Sequence, residues 1–331
     1  MPIQNYPTVF DCTEMTAAVN KLPALPVYFR RLFEVKGVKT TTVSLDIRKG
    51  RIVLIGDSER NTAPESLAGR GAKREWMHLS CAHLAMSDTL APEDLQDVRA
   101  FGSTEPISVA EVYNDKMQQL KDNMTATMEF HRLGAIKGVV LDANGTTVLH
   151  DIFNTFGVTK KKMDISFPKT AADDANPILT SILNAKRHVE AAMGGTPFSH
   201  IECIIGSDAY DMLTSHKLVR EYFERWLSNR SNFGDNDYRK RGFPYGGLTF
   251  VERSDVVGGK TMVDAKKGHV YPVGPGIFKQ YHAPADWMET VNTIGLERLG
   301  FTADTKVPGG EIVLDGNGLP TGLLLENAII E

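Results

Sequence analysis

The stretch SVAEVYNDKMQQLKDNMTATMEFHRLGAIKGVVLDANG, Ser108 to Gly145, decides the fold class. Tyr113, Met117, Leu120, Met124 and Met128 recur at steps of four, three, four and four residues. That spacing lays them on one face of an α-helix. Ser108 and Glu111 have the spacing of a capping box, and Ile107 and Val112 sit where a hydrophobic staple needs them. Glu111 and Asp115 near the start, with Arg132 and Lys137 near the end, match the helix macrodipole. Gly134 or Gly138 can end the helix, which is expected over about residues 108–133. At about 1.5 Å per residue it spans roughly 37 Å, about twice the usual length. The sequence then turns to GVVLDANGTTVLHDIF, which reads as strand, tight turn, strand. Asp142, Asn144 and Gly145 invite a calcium-loop reading. The loop glycine falls at the wrong position, however, and Phe153 stands where the bidentate glutamate belongs.

Outward from this centre, TTVSLDIRKGRIVLI (Thr41–Ile55) alternates apolar and polar residues on both sides of Lys49-Gly50. This is a hairpin signal. Residues 56–73 lose the period, and it returns from Trp76 to Leu84. The sum is a two-stranded excursion, which needs a partner surface because an isolated ribbon is marginal in water. Residues before about 40 carry Pro7, Pro23 and Pro26 and read as an extended arm, with one short helix from Cys12 to Lys21. From about residue 170 the pattern changes to alternating helix and strand. Asn176 caps a helix whose first residue is Pro177, and Gly194-Gly195 stop it. IECIIG reads as a buried strand, Ser207 opens one helix carrying Leu213, Leu218, Tyr222, Phe223 and Trp226, and GGLTFVE reads as a strand. The last segment, EIVLDGNGLPTGLLLENAII, is strand-rich with a DGNG turn.

The chain of 331 residues is 42% hydrophobic and 24% charged, which is globular composition. Its net charge of −4 excludes a uniformly basic nucleic-acid binder. Between Lys21 and Arg74, however, twelve Lys/Arg face five Asp/Glu. That stretch suits an acidic partner surface, a phosphate backbone or a solvated loop face. Cys12, Cys81 and Cys203 are sparse and odd in number, against a disulfide framework and for a reducing compartment. No apolar run nears the roughly 20 residues of a membrane span, and MPIQNYPTVFDCTEM lacks the pattern of a signal peptide.

Candidate chemistry is thin. SDVVGGKT, Ser254–Thr261, ends like a phosphate-binding loop, but its first required glycine is Ser254 and MVDAKKG does not continue as a helix. His78, Cys81 and His83 could be metal ligands, yet on a strand the two histidines point to opposite faces. No nucleophile, zinc or redox motif is present, so no catalytic, cofactor or metal residue is expected. A structural or interaction protein is favoured over an enzyme.

The segments TTVSLDIRKGRIVLI, DVRAFGS (Asp97–Ser103) and TMEFHRLGAIKGVVLDANG (Thr127–Gly145), in this order, resemble the lambda-type major capsid protein family of tailed phages, the major capsid protein E proteins. The resemblance runs from about residue 8 to 331 and is most specific from Arg99 to Gly145. It implies an α+β, Hong-Kong-97-type capsid fold. Residues 1–43 would be the N-terminal arm and 44–95 the extended loop. Residues 96–169 and 276–331 would form the peripheral domain with its spine helix, and 170–275 the axial domain. It further implies self-assembly into pentamers and hexamers of an icosahedral procapsid in the bacterial host cytoplasm. Scaffolding, portal and decoration proteins would be partners, and the shell would expand as double-stranded DNA is packaged non-specifically. Decoration is expected rather than covalent crosslinking. Arg70, Lys73 and Arg74 in the loop are expected to meet acidic surfaces of neighbouring copies, such as those bearing Glu111, Asp115 or Asp122. The alternatives are a cellular nanocompartment shell, which needs a cargo-peptide pocket, and a phosphate-binding enzyme using Ser254–Thr261.

Overall fold

The computed structural model describes residues 27–49, 73–90, 109–165, 167, 176–194, 196–228, 238–257, 259–285, 290–296, 299–304, 310–315 and 324–325. In chain order, a short 3-10 turn, Phe29–Leu32, leads into β1 (Phe33–Gly37), β2 (Thr42–Lys49), β3 (Lys73–Ser80) and β4 (Ala85–Leu90). The long helix α1 (Val109–Lys137) follows, then β5 (Val139–Leu141), β6 (Val148–Asp151), α2 (Ile152–Phe156) and α3 (Pro177–Met193). Next come β7 (His200–Ile205), α4 (Ser207–Ser215), α5 (Lys217–Ser228), α6 (Tyr238–Arg241), β8 (Phe243–Tyr245) and β9 (Leu248–Glu252). The chain continues with β10 (Val256–Val257), β11 (Lys260–Thr261), β12 (Gly268–Val273), β13 (Phe278–His282), β14 (Leu299–Asp304) and β15 (Gly310–Asp315). The arm helix expected at Cys12–Lys21, the strand at Ile52–Leu54, the loop tip with Arg70, the DVRAFGS segment, Ser108 of the capping box and the DGNG turn lie outside the described residues.

The described residues fall into two compact units, one within Met1–Val43, His78–Arg132 and Lys279–Leu323, the other within Ser44–Met77, Leu133–Phe278 and Leu324–Glu331. This division follows packing density. It is a different cut from the arm, loop, peripheral and axial parts, which are defined by roles in a shell.

In the first unit, Met117, Leu120, Met124 and Met128 are buried along one face of α1, while Glu111 and Asp115 are exposed. Phe29, Leu32 and Phe33 of the arm are also buried. Strands β14, β15 and β4 form an antiparallel sheet with β15 in the middle. Lys116 of α1 pairs with Asp88 of β4 at 3.5 Å.

The second unit is built on a sheet of order β12-β7-β9-β8, in which only the β7–β9 pair is parallel. A parallel pair needs a crossover, and α4 to α6 supply it. α3 buries Ile178, Ile182, Val189 and Met193. Its cap is the expected one, with the Leu179 N–H donating to Asn176 Oδ1 at 3.0 Å. Phe223 and Trp226 of α5 pack edge-on against Phe243 of β8.

Three expectations are corrected here. The long helix runs to Lys137, beyond the expected end near residue 133, and of the two glycines offered as a stop it is Gly138, at φ +87°, that ends it. Gly134 lies within the helix, and its missing side chain makes room for β5: a Cβ there would lie 3.0 Å from the Val139 oxygen and the Val140 Cα. The helix opened by Ser207 is two helices. His216 is extended at ψ 133°, and its Nδ1 accepts the Leu218 N–H at 3.3 Å to start α5. Finally, Gly246-Gly247 is not strand but the turn between β8 and β9, with φ +59° and +81°. A two-residue hairpin turn of this hand needs positive φ at both central positions, which glycine adopts without strain.

Candidate functional site

With no catalytic motif expected, the candidate site is the buried polar junction of the first unit, where the segment around Phe29 is fastened. Glu129, His131 and Arg132 sit on α1, and all three are buried. Buried carboxylates and guanidinium groups are tolerated only when hydrogen-bonded and paired. Here each partner is identifiable. The backbone N–H of Phe29, at the start of the arm's 3-10 turn, donates to Glu129 Oε1 at 2.5 Å. Arg132 Nη1 donates to Glu129 Oε2 at 3.4 Å, and Arg132 Nε donates to Gln280 Oε1 on β13 at 2.8 Å. Gln280 Nε2 lies 3.0 Å from His282 Nε2. An arginine can only donate, so Gln280 Oε1 must accept and its amide nitrogen must donate onward. His282 Nε2 therefore accepts, which puts that ring's proton on Nδ1.

The backbone reinforces the same junction. β1 pairs beside β13, Val38 N–H donates to the His282 carbonyl at 2.7 Å, and Gly295 N–H donates to the Val38 carbonyl at 2.9 Å. Gly37 and Gly295 are glycines for a steric reason. A Cβ on Gly37 would stand 2.4 Å from the Gly295 oxygen, and one on Gly295 would stand 2.2 Å from the His282 oxygen. Val38, just after β1, is thus bonded to both His282 and Gly295, with no room for a Cβ on Gly37 or Gly295. The 290–296 segment exposes Val291, Ile294 and Leu296, each about half or more accessible, at 56%, 58% and 49%.

Sequence reasoning missed this junction. Arg132 reads as a dipole complement near a helix end, but the helix continues another turn and Arg132 is 1% exposed. The Phe29–Glu129 and Arg132–Gln280 bonds span 100 and 148 residues, so no local pattern announces them. The one available signal was a Glu–Arg pair at i,i+3 followed by further periodicity.

The other expected assembly residues are placed as follows. β2 and β3 pair as a two-stranded ribbon whose base is closed by the Cys81 N–H on the Thr41 carbonyl at 2.9 Å. Lys73 and Arg74 lie on β3, and Arg70 lies outside the described residues. Tyr113 lies on the long helix. Asp122 is half-buried and accepts from Gln118 Nε2 at 2.8 Å.

The phosphate-loop reading of Ser254–Thr261 is overturned. β10 and β11 pair antiparallel there, Val256 with Thr261 and Val257 with Lys260. The chain then turns and enters β12, not a helix. Lys260 Nζ is spent on the Ala143 carbonyl. The site therefore lacks the helix N-terminus that would hold an anion. Elsewhere in the second unit, the buried Glu202 accepts from Tyr271 Oη at 2.8 Å and meets His200 Nε2 at 3.0 Å. Cys203 beside it is pushed up to about 12 by burial, so its thiol stays protonated at neutral pH. Among the described residues no helix is long and apolar enough to cross a membrane.

The family model described as "Phage major capsid protein E" matches residues 11–312. The major capsid protein of Pseudomonas phage KPP10 is 25% identical over 323 residues, covering 91% of this chain and 90% of that one. The major capsid protein of Salmonella phage Felix O1 is 24% identical over 327 residues, covering 88% and 87%. Among solved structures, the putative capsid protein of a prophage of E. coli CFT073 superposes with a TM-score of 0.51 at 12% identity, covering 97% and 98% of the two chains. The fold is thus the α+β, Hong-Kong-97-type capsid fold, and the chain belongs to the phage major capsid protein E family: it is a structural protein of a phage capsid, which self-assembles into the shell of the virion.

Proposed function

We propose that this subunit forms pentamers and hexamers that close into an icosahedral procapsid, and that the shell expands as double-stranded DNA is packaged. Scaffolding and portal proteins guide closure, and a decoration protein, not a covalent crosslink, secures the expanded shell. Assembly takes place in the cytoplasm of the bacterial host, and the subunit carries no enzymatic activity of its own. The observation that carries this reading is the family match over residues 11–312.

In this reading residues 1–43 act as the arm and 44–95 as the extended loop laid on a neighbour. Residues 96–169 and 276–331 are the peripheral domain, and 170–275 the axial domain. The β2–β3 ribbon supports the loop assignment, because two strands alone hold their shape poorly without a further surface. The exposed Val291, Ile294 and Leu296 support a contact with another copy at the 290–296 segment. Arg70, Lys73 and Arg74 then meet acidic residues of the neighbour, such as the exposed Glu111 and Asp115.

Electron microscopy of the purified protein, with and without its scaffold, tests the reading. Capsomers or closed shells are expected. A stable monomer at every salt and protein concentration with scaffold present would sink it. Deleting residues 57–71 should leave the subunit folded but block shell formation, and normal particles from that deletion would refute the loop assignment.

A further inference from the structure

A lysine cluster in the second unit has no part in the fastening of the arm. It begins at the end of the long helix, where Lys137 Nζ donates to the Met262 carbonyl. The next residue, Gly138, lies against the ring of Phe153, so closely that a Cβ would fall 2.1 Å from Cε2. Lys160 Nζ stands 5.5 Å from the centroid of that same ring. Two residues beyond Met262, Asp264 Oδ2 pairs with Lys267 Nζ at 3.1 Å, and Asp264 Oδ1 accepts the Lys266 N–H at 3.1 Å. Lys161 and Lys162 continue from Lys160 and are exposed, as are Lys266 and Lys267. Three segments thus meet through Lys137, Lys160 and the Asp264–Lys267 pair, and Lys161, Lys162 and Lys266 are their exposed sequence neighbours.

The buried His269 reports that these charges converge. It is held down to about 3, first by burial and then by Lys137, Lys160 and Lys267, with Asp264 acting the other way. Field from three separate segments meets at one ring, and the net sign is positive. Asp264 is itself held below the usual carboxylate range, first by the Lys266 backbone N–H and then by Lys267.

The lysine ammonium is a compact, hydrated point charge on a flexible stem, so it neutralises a phosphate without demanding a fixed geometry. Contacts of that kind supply the sequence-independent part of DNA binding. We propose that Lys137, Lys160, Lys161, Lys162, Lys266 and Lys267 form a polyanion-binding surface that takes the phosphate backbone of duplex DNA without sequence selectivity. The choice of DNA rests on the shell-subunit reading; the surface itself does not. Contact at this surface is weak per subunit and becomes substantial only by repetition over many copies.

The test is binding of the full chain to two short duplexes of unrelated sequence, followed by fluorescence anisotropy over a salt series. The variant is Lys161→Gln, Lys162→Gln, Lys266→Gln, which spares Lys267 and its pair with Asp264. Each lost phosphate contact lowers the salt slope by about 0.9, so the triple variant should lose about 2.7 of slope and at least about tenfold in affinity at low salt. Both duplexes should bind alike, and thermal melting and shell formation should stay unchanged. Unchanged affinity and slope would overturn the proposal. So would a clear preference for one duplex, or lost shell formation with unaltered DNA binding, which would make the patch a contact between copies. If the triple variant loses that slope yet the unmutated chain never forms shells, the shell reading fails and the surface stands.

Discussion

The arm junction of the first unit is fastened by buried polar groups, whereas the sheet of the second is held mainly by apolar burial. In the second unit, Ile201, Ile204 and Ile205 of β7, Phe250 and Val251 of β9, and Ile178, Ile182 and Val189 of α3 are all buried. Apolar burial is non-directional, so such a core tolerates small shifts. In the first unit the arm is fastened by a hydrogen-bonded ion pair, a glutamine and two close glycine contacts. Those bonds are directional, and they are costly when one partner leaves. The comparison teaches that one chain can hold a robust body and a fastening that is either made completely or not at all.

The sharpest way to break the comparison is Glu129→Ala. It strands Arg132 and the Phe29 N–H in a buried site and should cost about 3–5 kcal/mol. Amide exchange should rise at Phe29–Val38 first, with β7 and β9 unaffected. Uniform loss of protection in both units would show that the fastening is not local. Replacing Glu129 and Arg132 together by Leu and Met should recover much of the stability. Failure to recover would mean the charge pair is not what the junction depends on.

Within the apolar body, Ile182→Ala should cost about 2–5 kcal/mol through transfer and cavity terms. Denaturant melts followed by Trp226 fluorescence would read it, because Trp226 packs on Phe243 in the same unit. A cost below about 1 kcal/mol would contradict a closely packed helix–sheet interface.

A smaller, pH-dependent effect separates the units. His269 is held at about 3, below its ordinary 6.5, by burial and neighbouring lysines. The unfolded chain then binds the proton more readily, so the stability contribution is present above about 6.5 and is lost as pH falls toward 3. At pH 5 the loss is about 2 kcal/mol, and His269→Gln should flatten that limb. An unchanged acid limb in the variant would assign it to other groups.

The smallest expected effect on the fold concerns the loop. Arg70→Glu, Lys73→Glu and Arg74→Glu together should leave the melting temperature nearly unchanged, since exposed ion pairs contribute about 0–1 kcal/mol each. Light scattering should show slowed and salt-sensitive assembly. Normal assembly, or a large drop in melting temperature, would count against a role between copies.

What the sequence determined by itself is the set of local elements. The methionine and leucine steps in α1, the Asn176-Pro177 cap and the Asp142–Gly145 turn, where Asn144 Oδ1 accepts the Thr146 and Thr147 N–H groups at 2.8 and 2.9 Å, each depend on residues within one or two turns. Their energetics are local, so their signals are local. The family resemblance was legible for a related reason, because it is carried by contiguous segments. Tertiary structure alone decided the rest. β4 pairs with β15, some 220 residues later (Ser87 with Val313), a choice that either strand's alternation leaves open. Gly134 serves the close approach of β5 rather than the end of the helix, and Ser207–Ser228 breaks at His216, which caps the next helix. Glu129 and Arg132 look like surface charges in a helical pattern. Only the arrival of Phe29 and Gln280 from distant parts of the chain makes them a buried fastening, because a charge can leave water only where its partners are already in place.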